Sequence, residues 1–374
     1  MTNHGAVQNK ASGAAADAAK GLLLGILQAP RKMRDLDIAG WNRVLYEAHM
    51  LKLRGRLAHD ARAHGLWDAL PEKVRQILIN AEIEAAARQR KIMWEVNRVR
   101  RALFGFHDKV ILVKGGAYIA KDMKGAQGRT SADIDILVAK KNLDIVENHL
   151  FMAGYGSQIQ NEYDQKYYRE WAHELPPLVH PDRMVEVDVH HNILQVTSRY
   201  KPDIERMIAD SVPLEDNIHV LCNEDMLLHS ILHQFVDGAL KASLRNLLEQ
   251  DDMIREFARD PDFWPRFMDR TAEMNLGRPV FYALRYCRDF LKTEIPQEVW
   301  ARANRHAPGA LTLWLMDRMV RRVMIPYGAK GSRLTSYLAT NGLYLRAHWL
   351  RMPAWMLLRH LTVKFFRRFR VEKS

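Results

Sequence analysis

The chain has 374 residues, of which 48% are hydrophobic and 27% charged, and its 56 Lys+Arg against 44 Asp+Glu leave a formal net charge of +12 at pH 7. That composition can bury a sizeable core and excludes a disordered chain, and the two cysteines, Cys222 and Cys287, exclude a disulfide framework or a four-thiolate metal site. The longest early apolar run, Gly21 to Leu27, is too short to span a bilayer, and Pro30-Arg31-Lys32 stand where a signal peptidase would want small neutral residues, so a reducing, cytoplasmic setting is expected.

Residues 1–20 are rich in Ala, Gly and small polar residues without apolar periodicity, and a mobile leader is expected over 1–33. An N-terminal helical region follows over 34–104. Its main element opens at Pro71 and repeats apolar residues at helical spacing, Val74, Leu78, Ala81 and Ala85, then Ile92, Val96, Val99 and Leu103.

At Val110 the period changes. Val110-Ile111-Leu112-Val113 reads as a buried strand that ends in a tight turn at Lys114-Gly115-Gly116, and it starts an α/β core over 105–200. A second strand, Ala132 to Val138, alternates Ile134, Ile136 and Val138 inward with Asp133 and Asp135 outward. A third, Val185 to Val189, turns Val185, Val187 and Val189 inward and leaves Glu186, Asp188 and His190 outward. With Pro181-Asp182 as a two-residue turn, Trp171–Val179 would pair with Met184–His190, setting Leu175 opposite Asp188 and His173 opposite His190. Pro176-Pro177 would hold that partner at an edge or interrupt it.

After about Asn192 helical patterns are expected to the end of the chain, as a helical domain over 201–340 with Asn223 as an N-cap, and then a basic aromatic tail over 341–374. Residues 311–374 hold thirteen Lys/Arg against Asp317 and Glu372, so 13 − 2 = +11 of the charge sits there. Leu345 to Arg370 mixes Trp349, Trp355, Phe365, Phe366 and Phe369 with seven Lys/Arg, a pattern that suits an anionic membrane surface, at its inner face, or RNA. A helix that packs its aromatic side on the protein and solvates its arginines fits the same pattern.

The chemistry concentrates in the core. Two aspartates one residue apart on a strand project from one face and can hold a hard divalent cation together, and a third carboxylate from another strand, Asp188 or else Glu186, would complete the cage. Alternating acids are also what a one-sided sheet shows to solvent. The set around them strengthens the metal reading: glycines at 115 and 116 let a backbone approach phosphates, and Lys114 and Arg129, with Ser131 in the same loop, would offset and bind phosphate charge. His173 and His190 join the nucleotide-binding candidates if the hairpin register sets them beside Asp188. His229 and His233 share a helix face without a metalloprotease glutamate and read as core or supporting histidines; Arg245 reads as a solvated arginine within reach of a nucleotide.

Three segments, Lys114-Gly115-Gly116-Ala117, Arg129-Thr130-Ser131-Ala132-Asp133-Ile134-Asp135-Ile136-Leu137-Val138 and Val185-Glu186-Val187-Asp188-Val189-His190, resemble the nucleotidyltransferase superfamily with the DNA polymerase β-like fold. Within it the chain is most similar to an uncharacterised bacterial branch, from about Trp41 to about Asp252. The resemblance implies an α+β fold in which a small mixed sheet with helices is flanked by helical regions. It also implies Gly115 and Gly116 near a triphosphate, and Asp133, Asp135 and Asp188 as metal ligands and catalytic residues. Gly116 departs from the serine common at that place, and sixteen residues separate it from Asp133, a long loop that fits the branch.

The leading expectation is a transferase that uses Mg2+, or Mn2+, to move a nucleoside monophosphate from an NTP, ATP first among them, to a hydroxyl on a small molecule, RNA or protein. A glycosyltransferase with a metal-binding D-x-D is the second reading. A non-catalytic nucleotide-binding adaptor on the same fold is the third.

Overall fold

The computed structural model describes residues 21–157, 172–238, 240–325 and 333–353, together with Ile159 and Tyr168. Residues 1–20 and the tail beyond Pro353 lie outside them. Within the stretch read as a leader, Leu22–Gln28 instead forms helix α1, because Leu23, Leu24 and Ile26 find cover in the core. Helices α2 (Ile38–Met50) and α3 (Arg54–Ala63) follow, then the long α4 (Glu72–Ala102), preceded by Pro71. Asp37 caps α2 by accepting the Gly40 N–H at 2.7 Å, which satisfies one of the free donors of a helix start.

Among the described residues seven strands form one mixed sheet in the order β3-β4-β5-β2-β1-β7-β6. They are β1 (Val110–Val113), β2 (Asp133–Leu137), β3 (Gly156–Ser157), β4 (Leu178–Val179), β5 (Glu186–His190), β6 (Val212–Glu215) and β7 (Ile218–Val220). The last two were read as part of a helical stretch. They form a hairpin around Asp216, whose φ of +51° a helix interior would not tolerate, and β7 joins the edge of β1 in parallel.

The β4–β5 hairpin exists in a different register from the expected one. The His180 carbonyl accepts from Arg183 N–H at 3.1 Å and from Met184 N–H at 3.0 Å, and Met184 sits at φ +56°. The loop therefore runs from Pro181 to Met184, so Leu178 pairs with Val187 and Val179 with Glu186. Upstream of the proline pair a single bridge joins Glu174 to His190, so Glu174, and not His173, stands opposite His190.

Lys114-Gly115-Gly116 is not a turn: Lys114–Ala120 is helix α5, entered directly from β1 through a Lys114 φ of +50°. Further helices are α6 (Leu143–Met152), α7 (Ile204–Ala209), α8 (Asn223–Leu232), α9 (Leu244–Phe257), α10 (Phe263–Glu273), α11 (Gly277–Tyr286), α12 (Gln297–Asn304), α13 (Ala310–Val323) and α14 (Arg333–Arg351). Asn223 is the first residue of α8 rather than its cap. Its Oδ1 accepts from Lys121 Nζ at 3.2 Å, so it serves a contact to the end of α5.

Two buried arginines bind the helices around the sheet. Arg56 on α3 holds Asp60 at 2.9 Å and Asp252 on α9 at 3.0 Å, and Arg270 on α10 holds Asp225 on α8 through paired hydrogen bonds of 2.8 and 2.5 Å. Both are nearly closed to solvent, so each partner neutralises a charge that would otherwise be costly to bury.

Candidate active site

Strands β2 and β5 run parallel and in register, Asp133 opposite Glu186, Asp135 opposite Asp188 and Leu137 opposite His190. A parallel pair in register turns opposing side chains to the same face, so the acids and His190 share one side. The alternate residues Ile134, Ile136, Val187 and Val189 are buried on the other. The acidic face is itself covered along most of its length: Asp135 and His190 are each 3% exposed, while Asp133 lies at the open end.

Val113 pairs with Asp135 across β1 and β2, and the chain enters α5 at Lys114 immediately afterwards. Lys114 Nζ thereby donates to Asp135 Oδ1 at 2.5 Å. The same oxygen lies 2.9 Å from His190 Nε2, and His190 Nδ1 lies 3.2 Å from Glu174 Oε2. Carboxylates at both ring nitrogens fix the orientation of the imidazole. Asp188 Oδ1 is buried and has no hydrogen-bond partner in the described structure.

These contacts drive the two facing aspartates apart in acidity. Burial works against ionised Asp135, but the Lys114 ammonium and His190 outweigh it and hold the carboxyl far below the usual carboxylate range. Asp188 lacks such partners: burial, then the nearby Asp135 and Glu174 carboxylates, push it up to about 8. Lys114 stays charged against burial because Asp135, Glu174 and Asp188 all surround it.

The loop before β2 is built around Arg129. Its Nε donates to Glu249 on α9 at 2.9 Å, and its Nη1 donates to Ser131 Oγ. The guanidinium lies so close over Gly115 that a Cβ there would collide with it and with Ser131, which explains a glycine at this position. Arg245 reaches the same Glu249 at 3.5 Å, and Asp133 lies within the electrostatic reach of both arginines.

The N-terminal helices seat on this loop by backbone contact. Gly55 on α3 and Gly128 approach so closely that a Cβ on either would strike the other's backbone. Beside that contact, α2, α3, α4 and residues Gly128–Ala132 enclose a cleft of about 480 Å³ lined by His49, Lys52, Arg54 and Arg88. Asp135 and Asp188 do not line it, but its wall at Thr130, Ser131 and Ala132 leads straight into Asp133.

A model for a family of uncharacterised nucleotidyltransferases matches residues 31–292. The chain belongs to that family. The match includes every element described around the acids, extends past both ends of the Trp41–Asp252 resemblance, and stops before α12. No curated protein and no solved structure matches the chain. The mixed sheet with helical flanks agrees with a nucleotidyltransferase-type core.

In this nucleotidyltransferase-family chain the predicted residues fall into two groups. Lys114, Asp135, Asp188 and His190 converge on one buried cluster, with Asp133 at its open end, whereas Arg129 and Ser131 engage each other over Gly115. Gly116 packs against Leu112 and faces the core. His173 stacks on His190 with ring centroids 5.2 Å apart and 24° between planes, and burial, with His190 and Lys114 nearby, pushes it down to about 2.

Asp135, Asp188 and His190 bring ligand atoms within 4.8 Å of one another, as do His173, Glu174 and His190. The second trio is the poorer cation site, because a metal lies in the plane of each imidazole it binds and two near-parallel stacked rings cannot both meet that condition.

Sequence reasoning missed Glu174, which only the interrupted hairpin brings to His190, and Glu249, whose signal was an acid four residues after Arg245 on a helix face. His229 is buried and His233 half-buried near Lys114, and burial followed by the Lys114 charge lowers both, as supporting histidines behind the cluster.

Proposed function

We propose that the protein is a divalent-metal-dependent nucleotidyltransferase that transfers a nucleoside monophosphate from an NTP to a hydroxyl acceptor. The acceptor hydroxyl gives up its proton on the Asp188 side of the site, its oxygen attacks the α-phosphorus, the bond to the bridging oxygen of the β-phosphate breaks, and pyrophosphate leaves with that electron pair. The observation that carries this reading is the in-register pairing of Asp135 with Asp188, with Asp133 two residues along the same face.

The donor set fits Mg2+ or Mn2+: hard carboxylate oxygens from two strands, one of them the unpartnered Asp188 Oδ1. Asp135 and Asp188, whose ligand atoms lie with that of His190 within 4.8 Å of one another, would hold the ion, with Asp133 further out on the same face, and the ion supplies charge stabilisation at the phosphate and at the attacking oxygen when bound. Lys114 Nζ, which donates to Asp135 Oδ1, would offset triphosphate charge beside the ion. Arg129 and Arg245 frame the Asp133 end, and the basic cleft beside it is the natural entrance for the acceptor or nucleotide. ATP is the first nucleotide to test.

A non-catalytic nucleotide-binding adaptor on the same fold is the second reading, and turnover separates it from transfer. A glycosyltransferase is less well supported, because the D-x-D opens strand β2 and does not close it.

Incubating the protein with each NTP labelled at the α-phosphate, Mg2+ or Mn2+ and cell extract separates the readings. Label joined to an acceptor with pyrophosphate release supports transfer. Tight binding without turnover supports the adaptor, and transfer of a sugar from a labelled nucleotide sugar supports the glycosyltransferase.

A further inference from the structure

Helices α13 and α14 present apolar residues on both sides. Each buries one face, Met316, Val320 and Val323 on α13 and Ala339, Leu343 and Ala347 on α14. On the opposite side of α13, Leu311, Trp314 and Leu315 are 71%, 52% and 45% exposed. On that of α14, Leu334, Tyr337, Leu338, Leu345 and Trp349 are all exposed, at spacings that align them in one stripe. Of the 22 exposed large hydrophobic residues among the described residues, these two helices hold eight, which is a concentrated patch rather than scattered surface apolarity.

The patch rests on a fixed platform. Arg285 on α11 pairs with Asp317 at 2.6 Å, Arg346 donates to the Phe235 carbonyl at 2.8 Å, and the Arg199 N–H donates to the Leu350 carbonyl at 2.9 Å. Arg318 stacks over Trp314 at 5.0 Å, and Arg333 is exposed at the start of α14. The sequence directly beyond, residues 354–374, adds six Lys/Arg against one acid, Glu372, a net 6 − 1 = +5.

We infer that this face docks the protein on a bilayer surface rich in anionic headgroups. Charge decides against a second copy, which would bring two basic faces together. Chemistry decides against nucleic acid, since five of the eight residues are leucines, which enter an acyl boundary but do not stack on bases. Trp314, Tyr337 and Trp349 suit the headgroup level of such an interface. No described helix is long and apolar enough to cross a membrane, so the two helices would lie along the surface. The inference is independent of the transferase reading.

The test is flotation of the full chain with vesicles of phosphatidylcholine alone or mixed with phosphatidylglycerol. The account expects binding to the mixed vesicles, weakened but not abolished by high salt. Replacing Leu311, Leu315, Leu334 and Leu338 by serine should reduce it about tenfold or more without moving the melting temperature. Trp314→Ser, a single exposed change, should reduce it in the same direction and serves if the quadruple variant unfolds. The inference fails if the unaltered protein ignores phosphatidylglycerol vesicles, or if the serine variants bind them as tightly. It fails equally if the unaltered protein is a dimer that the variants convert to monomer, or if the variants lose RNA binding instead.

Discussion

Asp135 and Asp188 face each other in register across β2 and β5, yet one is held far below the usual carboxylate range while the other is pushed up to about 8. The asymmetry has one source. Lys114 and His190 both reach Asp135 Oδ1, and nothing among the described residues reaches Asp188 Oδ1. A site of this kind is strained electrostatically until a further cation arrives.

Stability should therefore depend on pH in opposite senses at the two positions. Asp188, raised from 3.8 in the unfolded chain to about 8, supports folding at low pH and loses that contribution as pH rises from about 4 to about 8. Metal-free Asp188→Asn should thus be more stable than the parent at pH 9, by a few kcal/mol in order of magnitude, with little difference near pH 4. Urea denaturation across that range reads it. Equal stability at pH 9 contradicts the burial of an ionising Asp188.

Asp135 works the other way: held as a carboxylate far below the usual range, it stabilises the fold above about pH 4 and the benefit fades as pH falls below that. Asp135→Asn leaves the Lys114 ammonium buried among the remaining acids and should cost about 3 kcal/mol or more at pH 7. The deficit should shrink in acid, as a pH series of chemical melts would show.

Lys114→Met removes the cation that Asp135 holds in the metal-free protein. The variant should lose about 3 kcal/mol, and Mn2+ should restore part of it, so its melting temperature rises with Mn2+ more than the parent's does. A variant whose melting temperature ignores Mn2+ would argue against metal at this cluster.

Gly128 sits at φ +69° and touches the backbone of Gly55. Gly128→Ala should destabilise by at least about 2 kcal/mol, because both the conformation and the contact resist a Cβ. A stable, fully seated alanine variant, by thermal melt, would mean that α3 can withdraw from the loop at small cost.

Much of this site was legible in the sequence because it depends on alternation. Period-two patterning around Asp133, Asp135 and Asp188 gave the faces of β2 and β5, and the helical spacing from the opening Pro71 to Leu103 gave α4 within a residue at each end. What failed depended on single backbone conformations. Met184 and Asp216 at positive φ lengthened one hairpin loop and created another hairpin, and Lys114 at positive φ turned an expected turn into a helix start. Glu174 and Glu249 were illegible because their roles arise from partners far along the chain, His190 and Arg129.

The most direct measurement of the central claim follows the α-phosphate. With an acceptor-containing extract, Mg2+ and NTP labelled at the α-phosphate, the parent protein should move the label to acceptor and release pyrophosphate. Asp133→Asn, Asp135→Asn and Asp188→Asn, each checked for a folded state, should abolish that transfer, and Glu186→Gln should reduce it less. Failure of the α-phosphate label to reach any acceptor, or full activity in Asp188→Asn, would contradict the account.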